Sequence, residues 1–304
     1  GLIIRSEIPG KAILIGDSEA PSIALKHGYH VVIEGVIIKR KGNGTGIAVD
    51  GTSSITLKNV EIEGANEAIW VSSPYHSTHS NFHIWRSYLH GNQIGLQVRR
   101  GGWVNLAESR VEDNSRSGLE IRGGSLEVSD STISRNGSGI LVGGFTDDDN
   151  STTIRAYLVT RASVIEDNNV GISVTHYGEL RLNQTVIQNH KSHGLMAQGP
   201  KVKLNIYASA MSHNNGYGML LRDDVSGIIE NNFIDQNLVG IMMDSVFSGS
   251  REDEYLAIKG NMIRDNKVGI ATDQYAFIQA TRNEISLNDE VGALLTGGDW
   301  RIEK

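Results

Sequence analysis

Arg99, Arg122 and Arg222, followed by Asp244 and Asp273, are the residues of this chain whose types and spacing best suit chemistry. Arg100, His176, Tyr177, Asp223, Asp224, Gln274 and Tyr275 stand beside them in the sequence. A guanidinium fork pairs with a carboxylate or sulfate through two parallel hydrogen bonds, while rings and amides suit the faces and hydroxyls of sugars. Elimination at a uronate needs a base near C5 and a positive group on the carboxylate. His176 or Tyr177 can serve as the base, and Arg99, Arg122 or Arg222 as the charge. Hydrolysis needs two carboxylates instead. Asp244 and Asp273, as spatial neighbours, would approach the ~5 Å of a retaining pair, and two adjacent acids equally describe a Ca2+ site. The plain alternative is a row of solvated strand ends.

These residues share one position in a repeat, and the repeat must place them. A column of Ser87, Ser109, Ser131, Ser163, Thr185, Ser209, Asn232, Asn261 and Asn283 precedes an apolar column that includes Leu89, Val111, Ile133 and Ile165. Asn92, Asn114, Asn136, Asn168, His190, Asn214, Asn237, Asn266 and Asn288 follow, then a Gly column from Gly95 to Gly292, in steps of mostly 21 to 24 residues. Strict alternation after each Gly, as in Ile140 and Val142, marks a strand with one buried face. A second alternation precedes each Ser or Asn, and no segment has a helical period. The reading is a solenoid of about twelve coils and three short strands per coil, forming a single domain over residues 1–304. Coils stacked at ~4.8 Å bring the Asn column into line as a hydrogen-bonded ladder, so the Asn, Ser and Gly columns are scaffold.

The phrases N-x-x-G-I-x-V and S-x-I-x-x-N resemble the parallel β-helix repeat of the pectin lyase-like superfamily, and the opening IIRSEIPGKAILIG is similar to early coils of polysaccharide lyases and NosD-type proteins. The resemblance implies an all-β, right-handed parallel β-helix that acts on carbohydrate. Taken with the Arg row, the expectation is an extracellular or periplasmic protein with an acidic, uronate-containing polysaccharide as partner, cleaved by elimination. The alternative is a non-catalytic glycan-binding or structural surface module. The mannuronan epimerase signature D-P-H-D is absent. Ser192–Gly194 and the terminal RIEK are similar to polygalacturonase motifs in composition but not in order or spacing, so no catalytic residue is carried over from that family.

Insertions into a solenoid project from one edge and often build its binding surface. Three coils are long, through SSPYHSTHS, GGFTDDDNSTT and DSVFSGSREDEY. All three follow the same strand and emerge beside the Arg and Asp row. Tyr75, His76 and Arg251 are expected to bind substrate there with Arg99, Arg122, Asp223 and Tyr275. Asp147, Asp148 and Asp149 are candidate Ca2+ ligands. His76 and His79 lie in a loop whose spacing fixes no shared geometry, so no transition metal is expected. An outward stripe of Trp70, Leu141, Met196, Leu220, Met242 and Leu294 suggests an oligomer or cap contact, or the floor of a sugar site.

The chain has 304 residues, a net charge of -7, no Cys, 35 Gly and 4 Pro. The negative charge argues against sequence-independent nucleic-acid binding, and zero Cys excludes disulfides and thiolate chemistry. No apolar run approaches the ~20 residues of a membrane span. Neither end carries an evident cap, so the chain reads as a possible fragment of a longer one, or one whose ends meet partners.

Overall fold

A computed structural model describes residues 1–26, 30–51, 54–73, 82–146, 152–244, 256–273, 277–296 and 299–303. The described residues form strands, turns and bends, without α-helix. They make a parallel β-solenoid of about eleven turns against the expected twelve. The chain divides into two compact units, Gly1–Leu158 and Val159–Lys304.

In the first unit a representative coil runs through Trp103–Ala107, Arg110–Glu112 and Ser117–Arg122, one strand in each of three sheets. The strands of the three sheets pair in parallel with their counterparts in neighbouring coils, as Val104 pairs with Leu126 and Leu119 with Ile140. Val104, Leu106, Val111, Leu119 and Ile121 point inward and are fully buried. The second unit repeats this plan, for example through Val202–Tyr207, Ala210–Ser212 and Tyr217–Arg222. Alternation keeps one apolar face per strand, and stacking removes that face from water.

The corners hold the coils in register. Between the second and third sheets, Asn114 donates from its backbone N and from Nδ2 to Asn136 Oδ1, at 3.0 and 2.9 Å. Asn92 does the same to Asn114, and the second unit continues with Asn214 on Asn237 and Asn237 on Asn266. The Gly column follows from this ladder. A Cβ on Gly118 would lie 2.8 Å from Gly139 O and 2.9 Å from Asn136 Nδ2, so no larger residue fits. At the corner between the first and second sheets the Ser column works similarly. Ser109 Oγ donates to Ala107 O and accepts from Ser87 N. Where the column turns to Asn, Asn232 and Asn261 take over with two donors each.

His190 occupies one rung. Its Nδ1 accepts from Asn168 N at 3.1 Å, and its buried Nε2 has no hydrogen-bond partner. Burial drives its pKa down to about 4. A folded-state pKa below the ordinary 6.5 means the unfolded chain binds the proton more readily, so stability falls as pH drops from about 6.5 towards 4. We expect this acid loss, up to about 3 kcal/mol, to disappear in His190→Asn when urea denaturation is followed across that range. Asn136→Leu should cost about 2–4 kcal/mol by stranding two buried donors of Asn114, while leaving ligand specificity unchanged in a binding assay.

Candidate functional site

The Arg row of the third sheet forms as the alternation requires. In the first unit Arg99 lies in register with Arg122. Its guanidiniums, however, already have partners on their own strands, because residues two apart share a face. Arg99 Nε donates to Gln97 Oε1 at 2.7 Å, and the guanidinium lies 5.9 Å from the Trp70 ring centre. Arg122 is ion-paired and hydrogen-bonded to Glu120, and Arg116 reaches the same carboxylate at 3.6 Å. Glu120 faces outward yet is 1% exposed, and its Oε2 has no hydrogen-bond partner. The row therefore neutralises an internal acid.

In the second unit Thr175, Gln198, Arg222 and Asp244 stand in register on successive coils. Arg222 Nε lies 3.1 Å from Asp244 Oδ2. Asp273 N donates to Met243 O, which puts Asp273 on the coil next to Asp244. The structure thus brings Arg222, Asp244 and Asp273 together. Tyr177 and Asp223 have φ of 58° and 60° and fill the left-handed position of the corner between the third and first sheets, a turn role. His176 precedes Tyr177 and is exposed. Of the outward apolar stripe, Leu220 is 2% exposed whereas Leu294 is 47% exposed. Tyr75, His76, Asp147, Asp148, Asp149, Arg251 and Tyr275 lie outside the described residues.

The third corner carries something else in the first unit. Two glycine pairs, Gly101–Gly102 and Gly123–Gly124, replace side chains there, and an open trough of about 640 Å³ forms over them. Gly101 and Gly123 adopt φ of 69° and 70°. A two-stranded antiparallel ribbon, Phe145–Thr146 with Thr153–Ile154, borders it. A Cβ on Gly123 would meet Phe145 and Ile154 at 2.7 and 2.6 Å, so the missing side chain also seats the ribbon.

Two rings flank the trough. Trp103 pairs with Ser125, and Tyr157 N donates to Gly124 O at 2.9 Å, which places Tyr157 on the next rung. Trp103, Ser125 and Tyr157 make one row, with the two ring-bearing positions two strand spacings, about 9.6 Å, apart across a small hydroxyl. Trp103 is 37% and Tyr157 39% exposed. Arg155 is exposed on the same lining. Two residues along the same strands runs a second outward row of His83, Asn105 and Glu127. Aromatic faces, a cation and hydroxyls line one concave surface, with the row carrying Glu127 beside it, and suit a polar ring-shaped ligand. The sequence signal was present in outward-phased Trp103 and Tyr157 and in the repeated R-G-G, but an outward aromatic looks the same on any sheet.

The family model described as "Right handed beta helix region" matches residues 21–156 and 147–303. The chain belongs to this right-handed β-helix family. Among solved structures the β-helix is similar to the Azotobacter vinelandii mannuronan C-5 epimerase AlgE4 A-module, with a TM-score of 0.66 and 13% identity over 99% of this chain and 88% of that one. It is similar to the periplasmic alginate epimerase AlgG, with a TM-score of 0.65 and 12% identity over 98% and 79%. Pectate lyase Pel9A follows with a TM-score of 0.50 and 11% identity over 98% and 71%. No sequence among curated proteins matches. At such identities the likeness is one of fold.

The pairing at Glu120 has a measurable consequence for the β-helix. Arg122→Ala leaves a buried carboxylate with one distant partner and should lower stability by about 1–3 kcal/mol. Adding Glu120→Gln should restore most of that loss in urea denaturation. Simple additivity of the two changes would rule out the coupling.

Proposed function

We propose that this β-helix protein binds an acidic, uronate-containing polysaccharide in the trough of the first unit and acts on it by elimination. The observation that carries the reading is the pair of exposed rings, Trp103 and Tyr157, two coils apart over a glycine floor with Arg155 beside them. Each ring takes the apolar face of a sugar, and Arg155 pairs with a carboxylate. That pairing lowers the cost of withdrawing the C5 proton. Glu127, in the strand that crosses the trough, is assigned as the base. The proton passes to Glu127, a C4–C5 double bond forms, and the C4–O bond breaks as the leaving oxygen takes a proton from water, whose hydroxide then removes the proton held by Glu127. The three similar structures bear the names of a mannuronan epimerase, a periplasmic alginate epimerase and a pectate lyase, which supports polysaccharide as the ligand class, and the periplasmic name among them supports an extracellular or periplasmic location.

The test uses oligouronates on the full chain. Trp103→Ala and Tyr157→Ala should each weaken binding by about 1–2 kcal/mol, a 5- to 30-fold rise in Kd, and binding should weaken with salt. Elimination is read from the ultraviolet absorbance of new unsaturated ends, which Glu127→Gln should abolish. Binding without such ends would make the protein a non-catalytic glycan module. Absence of binding at low salt would overturn both readings.

A further inference from the structure

The second sheet of the first unit carries a different cluster, remote in chemistry from the sugar trough. Glu61 and Glu63 lie on one short strand, Glu61–Glu63, and His90 on its neighbour in the next coil, Tyr88–His90. The register pairs Tyr88 with Glu61 and His90 with Glu63. Both carboxylates and the imidazole are therefore on the outward face of two adjacent strands. His90 Nε2 lies 3.2 Å from Glu61 Oε1 and 3.8 Å from Glu63 Oε2. One ligand atom from each of the three residues falls within 4.8 Å of the other two. The side chains are 36%, 31% and 19% exposed, half-shielded yet reachable.

The imidazole is held in place. The Tyr88 ring stacks on it at 3.9 Å with planes 19° apart. Tyr88 is itself fixed through Glu112, a buried acid. Burial pushes the Glu112 carboxyl upward, but hydrogen bonds with Tyr88, Arg135 and Arg110 prevail and hold it below its usual range. A ring anchored from behind with one nitrogen turned towards two carboxylates is the arrangement that orients a metal ligand. Lys39 Nζ lies 2.6 Å from Glu63 Oε1 and neutralises one acid, leaving the other for a nearby positive group.

We propose that Glu61, Glu63 and His90 form a binding site for a single divalent transition-metal ion of the zinc type. One imidazole nitrogen and two carboxylate oxygens match zinc's preference for mixed nitrogen and oxygen donors at ~2.0–2.2 Å, with water completing the shell. The separations of 3.2 and 3.8 Å from the imidazole nitrogen require shifts of less than about an ångström to reach that geometry, and the two carboxylate oxygens lie within 4.8 Å of each other. Calcium takes six to eight oxygens and gains little from imidazole, so it is a poor competitor.

Calorimetric titration of the untagged full chain with zinc chloride tests the site. One saturable site is expected, lost in His90→Gln and weakened more than tenfold in Glu61→Gln. Lys39→Ala should tighten it severalfold by removing the resident counter-charge, which a merely structural salt bridge would not do. Cobalt substitution should give a visible absorption band that His90→Gln abolishes while circular dichroism shows the variant folded. Zinc binding that survives His90→Gln, or no saturable binding in either the parent chain or Lys39→Ala, overturns the proposal.

Discussion

The structure depends on one constraint: each coil must satisfy the polar backbone of its neighbour at the corners, where no strand does so. Asn114 meets it with two donors on one oxygen of Asn136, and Ser109 meets it at another corner with a hydroxyl that both gives and accepts. An unpaired buried amide costs about 1–3 kcal/mol, and the demand recurs in every coil. The Gly column is a consequence of that demand, since the ladder amide and the next coil's carbonyl occupy the volume of a Cβ. The rung at His190 shows the tolerance of the device. An imidazole nitrogen replaces the amide oxygen, at the cost of an unpaired Nε2 and a depressed basicity.

This constraint made the fold legible. The Asn, Ser and Gly columns and the alternating strands each repeat a physical requirement, so their phase could be read without any structure. The same regularity obscured the site. Period two places Glu120 beside Arg122 and Gln97 beside Arg99, yet sequence position does not say whether a guanidinium faces solvent or folds back onto its own strand. The cluster of Glu61, Glu63 and His90 was less legible still. It needs the register of two coils separated by one of the long insertions, and no local spacing encodes that register. No sequence motif for a transition metal could have shown it.

Comparing the third corners of the two units explains where open space arises. In the second unit two of these corners are built from His176–Tyr177 and Asp223–Asp224, where Tyr177 and Asp223 take the left-handed φ themselves, and the coil between them turns through Gly199 and Lys201. A non-Gly residue there accepts backbone strain of about 1–2 kcal/mol and puts a side chain where the chain turns. In the first unit Gly101 and Gly123 take the same conformation without that strain, and their neighbours Gly102 and Gly124 also lack side chains. The turn geometry is common to both units, but only glycine leaves its volume vacant. Trp103 and Tyr157 begin their strands at these corners or one rung on, so their rings stand over the vacated volume. His176 and Tyr177 read as candidates for the base, and Asp223 for substrate binding, because reactive side chains are conspicuous in a sequence. The trough owes its shape to residues that contribute no side chain, and there the removal of Cβ atoms matters as much as the placement of charge.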